Sequence, residues 1–204
     1  MPWDTLPSKE RIENTIAALG EHGIEVFFFE EAGEGKSRVL EMLPEGAEVI
    51  NMTSMTLAEL GLDKEIMESG RYDSVKKRLM GMDRATQNRQ MQMLGAAPAW
   101  SVSSVHVLTE TGSVMIASNT GSQLPASMYG ADHVIWVVGA QKIVADIEEG
   151  FKRIYEWCLP HERERALKAY GPGTTSHVNK VLIVNGEKQA DRIKIVLINK
   201  VLGF

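Results

Sequence analysis

The sequence predicts an α/β protein built on a mixed, mainly parallel sheet flanked by helices. Three observations lead there. Short apolar runs rich in β-branched and aromatic residues, such as "VFFF" (26–29) and "VIWVV" (134–138), have the length of buried strands. Between them lie amphipathic stretches with capping residues at one end and glycine or proline stops at the other. The two patterns alternate along the chain, as they do in βαβ units.

Each element follows in order. Ser8 caps a helix that carries Ile12, Ile16 and Leu19 on one face and ends at Gly20, making residues 1–20 an N-terminal helical segment. "IEVFFFE" (24–30) is a buried strand, and "KSRVLEML" (36–43) a helix stopped by Pro44. "AEVINM" (47–52) is a second strand, "TLAELG" (56–61) a short helix, and residues 63–69 add a further turn or two. From Asp73 to Leu94 the sequence is helix-compatible throughout and carries Met80, Met82, Met91 and Met93, read as core or interface filling.

"SVSSVHVLTE" (101–110) and "SVMIAS" (113–118) are strands meeting at Thr111 and Gly112, followed by a short helical turn near 124–129. "HVIWVV" (133–138) is apolar almost throughout, as a strand covered on both faces should be, and Gly139 closes it. "IVADIEEGFKRIYEWCL" (143–159) is an amphipathic helix, with another over 161–169. "HVNKVLIVN" and "RIKIVLI" flank "GEKQAD" and read as a closing β-hairpin within 175–204. No linker, repeat or low-complexity tract divides the chain, so residues 1–204 are expected to form one domain.

Composition excludes several classes. With 44% hydrophobic and 24% charged residues, the 204-residue chain can bury an ample core. A net charge of −5 and a pI near 5.6 give no nucleic-acid footprint, and the one short basic run, "KKR" (76–78), is a solvated helix face. The apolar runs are too short to span a membrane, and the charged N-terminal stretch lacks the apolar core of a signal peptide. The one cysteine, Cys158, leaves no intrachain disulfide and cannot by itself hold an iron–sulfur cluster. A cytoplasmic home is expected.

Motifs narrow the chemistry further. "EEAGEGKS" (30–37) imitates a phosphate-binding loop, but Glu30 stands where the first glycine belongs, and Glu31 and Glu34 would repel phosphate. His22, His106, His133, His161 and His177 show no metal-ligand spacing, so no metal site is expected. His106 shares a strand face with Glu110 and reads as an ordinary strand histidine with a satisfied ring. Cys158 reads as an inert thiol, and no G-x-S-x-G elbow is present.

The remaining candidates are the segment "TETGSVMIASNTGSQLPAS" (109–127) and the "GAQK" turn (139–142). Gly112 and Gly121 allow either a ligand cradle or an ordinary tight turn. Gly139 ends the most buried strand, and Gln141 and Lys142 follow at what reads as a helix N-terminus, where anions gather. Together they suggest one pocket for a small anionic metabolite, with Thr111, Gly112, Ser113, Asn119, Gly121, Gly139, Gln141 and Lys142 as ligand-binding candidates. Glu110 is the catalytic candidate: a general base, a carboxylate nucleophile, or simply a turn residue accepting backbone hydrogen bonds.

The stretch "VHVLTETGSVMIASNTGSQLPASMYGADHVIWVVGAQKIVADIEEGFKRI", together with the ending "VNKVLIVNG…RIKIVLINKVLGF", resembles the LUD domain proteins, the group that includes lactate utilisation protein C. The similarity runs over nearly the whole chain. It implies a fold akin to the NagB/RpiA/CoA-transferase superfamily and a part in oxidising L-lactate to pyruvate, in which sister proteins carry the iron–sulfur clusters. This chain would then be an accessory subunit without a cluster, with iron–sulfur subunits as partners; a homodimer is the base-rate expectation. His106 and Gln141 depart from the family pattern, where many members carry a smaller residue or Asn, and Asn, respectively. Two alternatives stay open: a CoA-transferase-like enzyme using Glu110, and an anionic-metabolite sensor or scaffold.

Overall fold

A computed structural model describes residues 3–204; the first two residues of the expected 1–20 segment lie outside the described residues. Helix α1 (Lys9–Glu21), capped by the Ser8 hydroxyl, leads into β1 (Glu25–Phe29), α2 (Ala32–Met42) and β2 (Glu48–Asn51). Then come α3 (Met55–Glu59), α4 (Leu62–Glu68), β3 (Asp73–Ser74), α5 (Val75–Met80) and α6 (Arg84–Ala96). β4 (Trp100–Ser103), β5 (Val107–Thr109), β6 (Val114–Ser118), β7 (His133–Gly139) and β8 (Ile143–Val144) follow. The chain finishes with α7 (Ile147–Arg153), α8 (Leu159–Tyr170), β9 (Lys180–Val184) and β10 (Ile193–Ile198).

Six strands form one sheet in the order β1-β10-β7-β4-β2-β3, and every pairing in it is parallel. The antiparallel pairings lie in a second sheet, β8-β5-β6-β9. The large sheet is covered on both faces, and the period-two alternation of its strands feeds two cores. Trp136, Val138, Ile195 and Leu197 point to the side of α1, while Ile135, Val137, Val196 and Ile198 meet α2, α3 and α4. That is why "HVIWVV" and "RIKIVLI" carry apolar residues at nearly every position.

The α/β architecture is as expected, but four local expectations are corrected. The stretch 73–94 is not one helix. Asp73 and Ser74 pair with β2, Ser74 caps α5 by accepting from Lys77 N, and Asp83 caps α6 by accepting from Ala85 N. Two side-chain caps and the intervening Gly81 outweigh the even helix propensity of the stretch.

Residues 101–110 are not one strand. The chain leaves the large sheet at Ser103 and enters the small one at Val107. The expected hairpin of 175–204 does not form either: β9 pairs antiparallel with β6, while β10 inserts between β1 and β7. β10 is apolar on both faces and fits a sheet interior, whereas β9 is half open to solvent.

Finally, no helix starts at Ile143. Ile143 and Val144 pair with β5, and the helix begins only after Asp146, whose carboxylate accepts from Glu149 N at 2.9 Å. A π-turn over Ile154–Cys158 joins α7 to α8 without a break in the helical path. Among the described residues, no helix is long and apolar enough to cross a membrane.

Candidate functional site

The site begins at the carboxyl ends of β2 and β4. These strands are neighbours, with Asn51 opposite Val102, yet their outgoing connections diverge. From β2 the chain passes through α3 and α4 to β3 on one side; from β4 it crosses the small sheet and returns as β7 on the other. Such a switch point leaves a crevice beyond the strand ends, where ligands of open α/β sheets bind. A cavity of about 1100 Å³ fills it, walled by residues 50–56, α6, residues 103–106, residues 116–123 and residues 174–178.

Two buried polar side chains at those strand ends have no partner. Asn51 is 1% exposed, and neither its amide nitrogen nor its oxygen makes a hydrogen bond among the described residues. The Ser103 hydroxyl, on the adjacent strand, is in the same condition. Each unsatisfied group costs on the order of 1–3 kcal/mol when buried, so two of them lining one cavity point to a ligand that completes them.

Lys142 reaches the same cavity from the short turn that follows β7. Its Nζ lies 3.0 Å from Thr56 Oγ1, 3.1 Å from Ser104 Oγ and 3.2 Å from the Val105 carbonyl. The residue is 2% exposed and forms no salt bridge with a carboxylate among the described residues. Burial, reinforced by the Arg153 guanidinium, pushes its pKa down from 10.5 to about 7, while Cys158 and Glu59 oppose the shift.

Arg153 is also fully buried, and among the described residues it forms no salt bridge with an acid. Its Nη1 donates to the His106 carbonyl at 2.5 Å and meets Cys158 Sγ at 2.9 Å, while Nε and Nη2 stay unpartnered. The His106 ring accepts from Ala117 N through Nδ1 at 3.1 Å. Burial, then Lys142 and Arg153, hold its pKa at about 3, so the ring stays neutral. Burial pushes the Cys158 thiol up, which keeps it protonated and unreactive.

The cavity wall is cationic although the chain is acidic. Lys76, Arg84, Arg89, Lys142 and Arg165 line it, against one acidic side chain, Glu162. Arg165 holds that carboxylate in a bidentate pair at 2.6 and 2.7 Å. The arrangement suits an anion, whose charge the site would neutralise out of bulk water. Among the described residues, no three His, Cys, Asp or Glu side chains converge as a metal site would require.

The structure divides the candidates read from sequence. Asn119, Gly121 and Lys142 line the cavity. There Gly121 N donates to Ser118 Oγ at 2.8 Å, and Asn119 is fixed by Asn179 at 2.8 Å. Glu110, Thr111, Gly112 and Ser113 do not line it; they form the opposite corner of the β5–β6 turn, against α1. Arg11 Nε donates to Glu110 Oε1 at 2.6 Å, and His22 Nδ1 donates to the Gly112 carbonyl at 2.9 Å. Thr111 pairs with Thr109 through their hydroxyls, and Ser113 Oγ donates to Asn185 Oδ1, both at 2.9 Å.

The single-pocket expectation is therefore corrected: the two Thr-Gly-Ser turns sit at opposite ends of β6, because a five-residue strand separates them.

Gly139 and Gln141 are also kept from the cavity. The C-terminal segment crosses the end of β7 so closely that a Cβ on Gly139 would lie 2.6 Å from the Lys200 carbonyl. Gln141 Nε2 donates to the Leu202 carbonyl at 2.9 Å, tying down that segment. The helix N-terminus expected at Gln141 and Lys142 is a three-residue 3-10 turn, so no helix dipole is available there; Lys142 acts by its own charge and reach. The residues that sequence reading missed are Asn51, Thr56, Ser103 and Ser104. Their signal was present as polar residues closing apolar strands, in "VINM" and "SVSS", just where an α/β sheet places its ligand.

Fold and site together define an α/β protein with an anion-suited cavity at the switch point of a parallel sheet. The chain belongs to the LUD domain family, whose profile matches residues 12–198. Its fold is similar to the crystal structure of a DUF162 family protein from Deinococcus radiodurans. The TM-score is 0.57 at 14% identity, over 96% of this chain and 100% of that one. No curated protein matches the sequence.

Proposed function

We propose that the protein binds a small anionic metabolite in the cavity at the β2 and β4 ends and takes part in lactate or related organic-acid utilisation, the role associated with its family. One observation carries the binding reading: Lys142, buried without an acid partner, lines the same cavity as the unsatisfied Asn51 and Ser103. A carboxylate entering there gains a cation and two waiting polar groups. We read the protein as a cytoplasmic accessory subunit that works beside iron–sulfur partners, since its one cysteine is buried and held protonated. The cavity is far larger than a three-carbon acid needs, which supports room for a second group beside it.

A CoA-transferase-like mechanism through Glu110 draws no support from the geometry, because that carboxylate is paired to Arg11 outside the cavity. A thermal-shift series with L-lactate, pyruvate, sugar phosphates and CoA tests the binding reading. Organic acids are expected to raise the melting temperature in a concentration-dependent way. No shift with any of the four would remove it.

A further inference from the structure

Helix α6 turns a polar face toward the inside of the molecule. A Cβ on Gly95 would meet the Ile50 and Leu79 side chains at 3.9 Å, which marks the inward face. Gln92, Met91 and Asn88 lie three, four and seven residues before Gly95, on that face, and all three line the cavity together with Arg84 and Arg89. An inward helix face is ordinarily apolar and packed, yet no residue of α6 is buried. The helix therefore walls a space rather than covering a core. Lys76 stands beside it on α5, which packs against α6, with Nζ 3.2 Å from Thr53 Oγ1. Lys142 Nζ is anchored on Thr56, so the loop that follows β2 holds both lysines. Lys76, Arg84 and Arg89 form no salt bridge among the described residues.

One carboxylate at the strand ends, held by Lys142, Asn51 and Ser103, leaves these three cations without a counter-charge. Arg89 and Arg84 begin about 9 and 16 Å along the helix axis from Gly95, so they face a part of the cavity further from the end of β2. A phosphate monoester carries about −1.5 to −2 charges and three acceptor oxygens, and brings such a set closer to neutrality than a second carboxylate could. We infer that the cavity takes a phosphorylated organic acid, its carboxylate at the β2 and β4 ends and its phosphate between α6 and Lys76. This rests on the anion-binding reading and adds the second end of the ligand. Asn51, Ser103 and Lys142 hold the acid, and Arg84, Arg89 and Lys76 select for the phosphate. An acid without phosphate fills only the inner end.

The test is calorimetric titration of the whole protein with two matched sets of probes. One is 6-phosphogluconate, gluconate and glucose 6-phosphate; the shorter is 3-phosphoglycerate, glycerate and glycerol 3-phosphate. Each set holds the phosphorylated acid, the acid alone and the phosphate alone. In at least one set the phosphorylated acid is expected to bind about 10-fold or more tightly than either of the other two, the effect of added charge-assisted hydrogen bonds. Arg84→Gln combined with Arg89→Gln should remove that gain and leave binding of the plain acid unchanged. Both side chains are exposed, so the variant should keep a cooperative melt. Lys76→Gln, made separately, should lower the gain as well. No gain from phosphate in either set, or a gain that survives all three substitutions, overturns the inference. So does a phosphate-only probe that binds as tightly as the phosphorylated acid. Should the plain acids or L-lactate bind in those cases, the anion-binding reading still stands. Should no acid bind, with or without phosphate, both fail.

Discussion

Lys142 Nζ and Thr56 Oγ1 lie 3.0 Å apart, although 86 residues separate them in sequence. The contact joins three distant parts of the chain, because Thr56 passes its own proton to Leu202 in the C-terminal segment. That segment, held also by Gln141, thereby fixes the hydroxyl that orients the buried amine. The strap from Lys200 to Phe204 is thus part of the wall behind the site.

Lys142→Met should separate binding from folding. The substitution keeps the apolar stem and removes the charge, so affinity for organic acids is expected to fall by about 10-fold or more, the worth of one charge-assisted hydrogen bond. The native pKa of about 7 lies below the ordinary 10.5, so between those values the unfolded chain binds more protons than the native one. Wild-type stability gains from this group as pH rises from about 7 to about 10.5, and that gain is absent below 7. Chemical denaturation of both proteins across that range measures it: the wild-type advantage over the Met variant should grow with pH. A difference that stays flat would contradict a depressed native pKa.

Asn51→Ala should weaken binding without weakening the free protein. The lost amide has no hydrogen bond to forfeit, so urea midpoints are expected to move little, or upward by about 1 kcal/mol as an unsatisfied group disappears. Affinity for the ligand that shifts the wild-type melt should drop by roughly 10-fold, the effect of removing a hydrogen bond to a charged partner. Calorimetric titration beside the urea curves checks both halves.

Glu110→Gln should do the reverse. The Arg11–Glu110 pair is part-exposed, 37% and 26% for the two side chains, so its loss is worth no more than about 1 kcal/mol of stability. Ligand affinity should be unchanged, because the carboxylate does not line the cavity. A large fall in affinity would return Glu110 to the site.

Gly112→Ala tests the structural role of the corner. Gly112 adopts φ +83, and a Cβ there would lie 2.7 Å from the Ala18 carbonyl of α1. Both the left-handed backbone and the clash oppose the methyl, so a loss of about 2–4 kcal/mol is expected by thermal or urea unfolding. Binding measured where the variant is still folded should match the wild type.

The histidine beside the amine predicts acid sensitivity. The His106 pKa of about 3 lies below the ordinary 6.5, so the unfolded state binds the extra proton between those values. Its contribution to stability is present above about 6.5 and is lost as pH falls toward 3. Melting curves of His106→Gln and wild type over that interval should converge as the pH drops.

Local sequence determined a good deal of this protein. The buried strands at 24–30, 47–52 and 133–138 and the helix after Ser8 follow from periodicity and capping within a few residues. Lys142 could be singled out because it follows the most apolar strand. Partner choice could not be read that way. "HVNKVLIVN" and "RIKIVLI" look like a hairpin, since local sequence encodes that a segment is extended but not which edge it will meet.

The same limit governed the site. "TETGS" and "SNTGSQ" are equally polar and glycine-bearing, yet one packs on α1 and the other faces the cavity, because β6 carries them to opposite ends. Asn51 and Ser103 became visible as a pair only when β2 and β4 were found adjacent, with their connections running apart. Side-chain chemistry is local and was legible in one dimension. The convergence of an amine, an amide and a hydroxyl on one cavity depends on which strands pair, and that was decided by burying apolar surface across the whole chain.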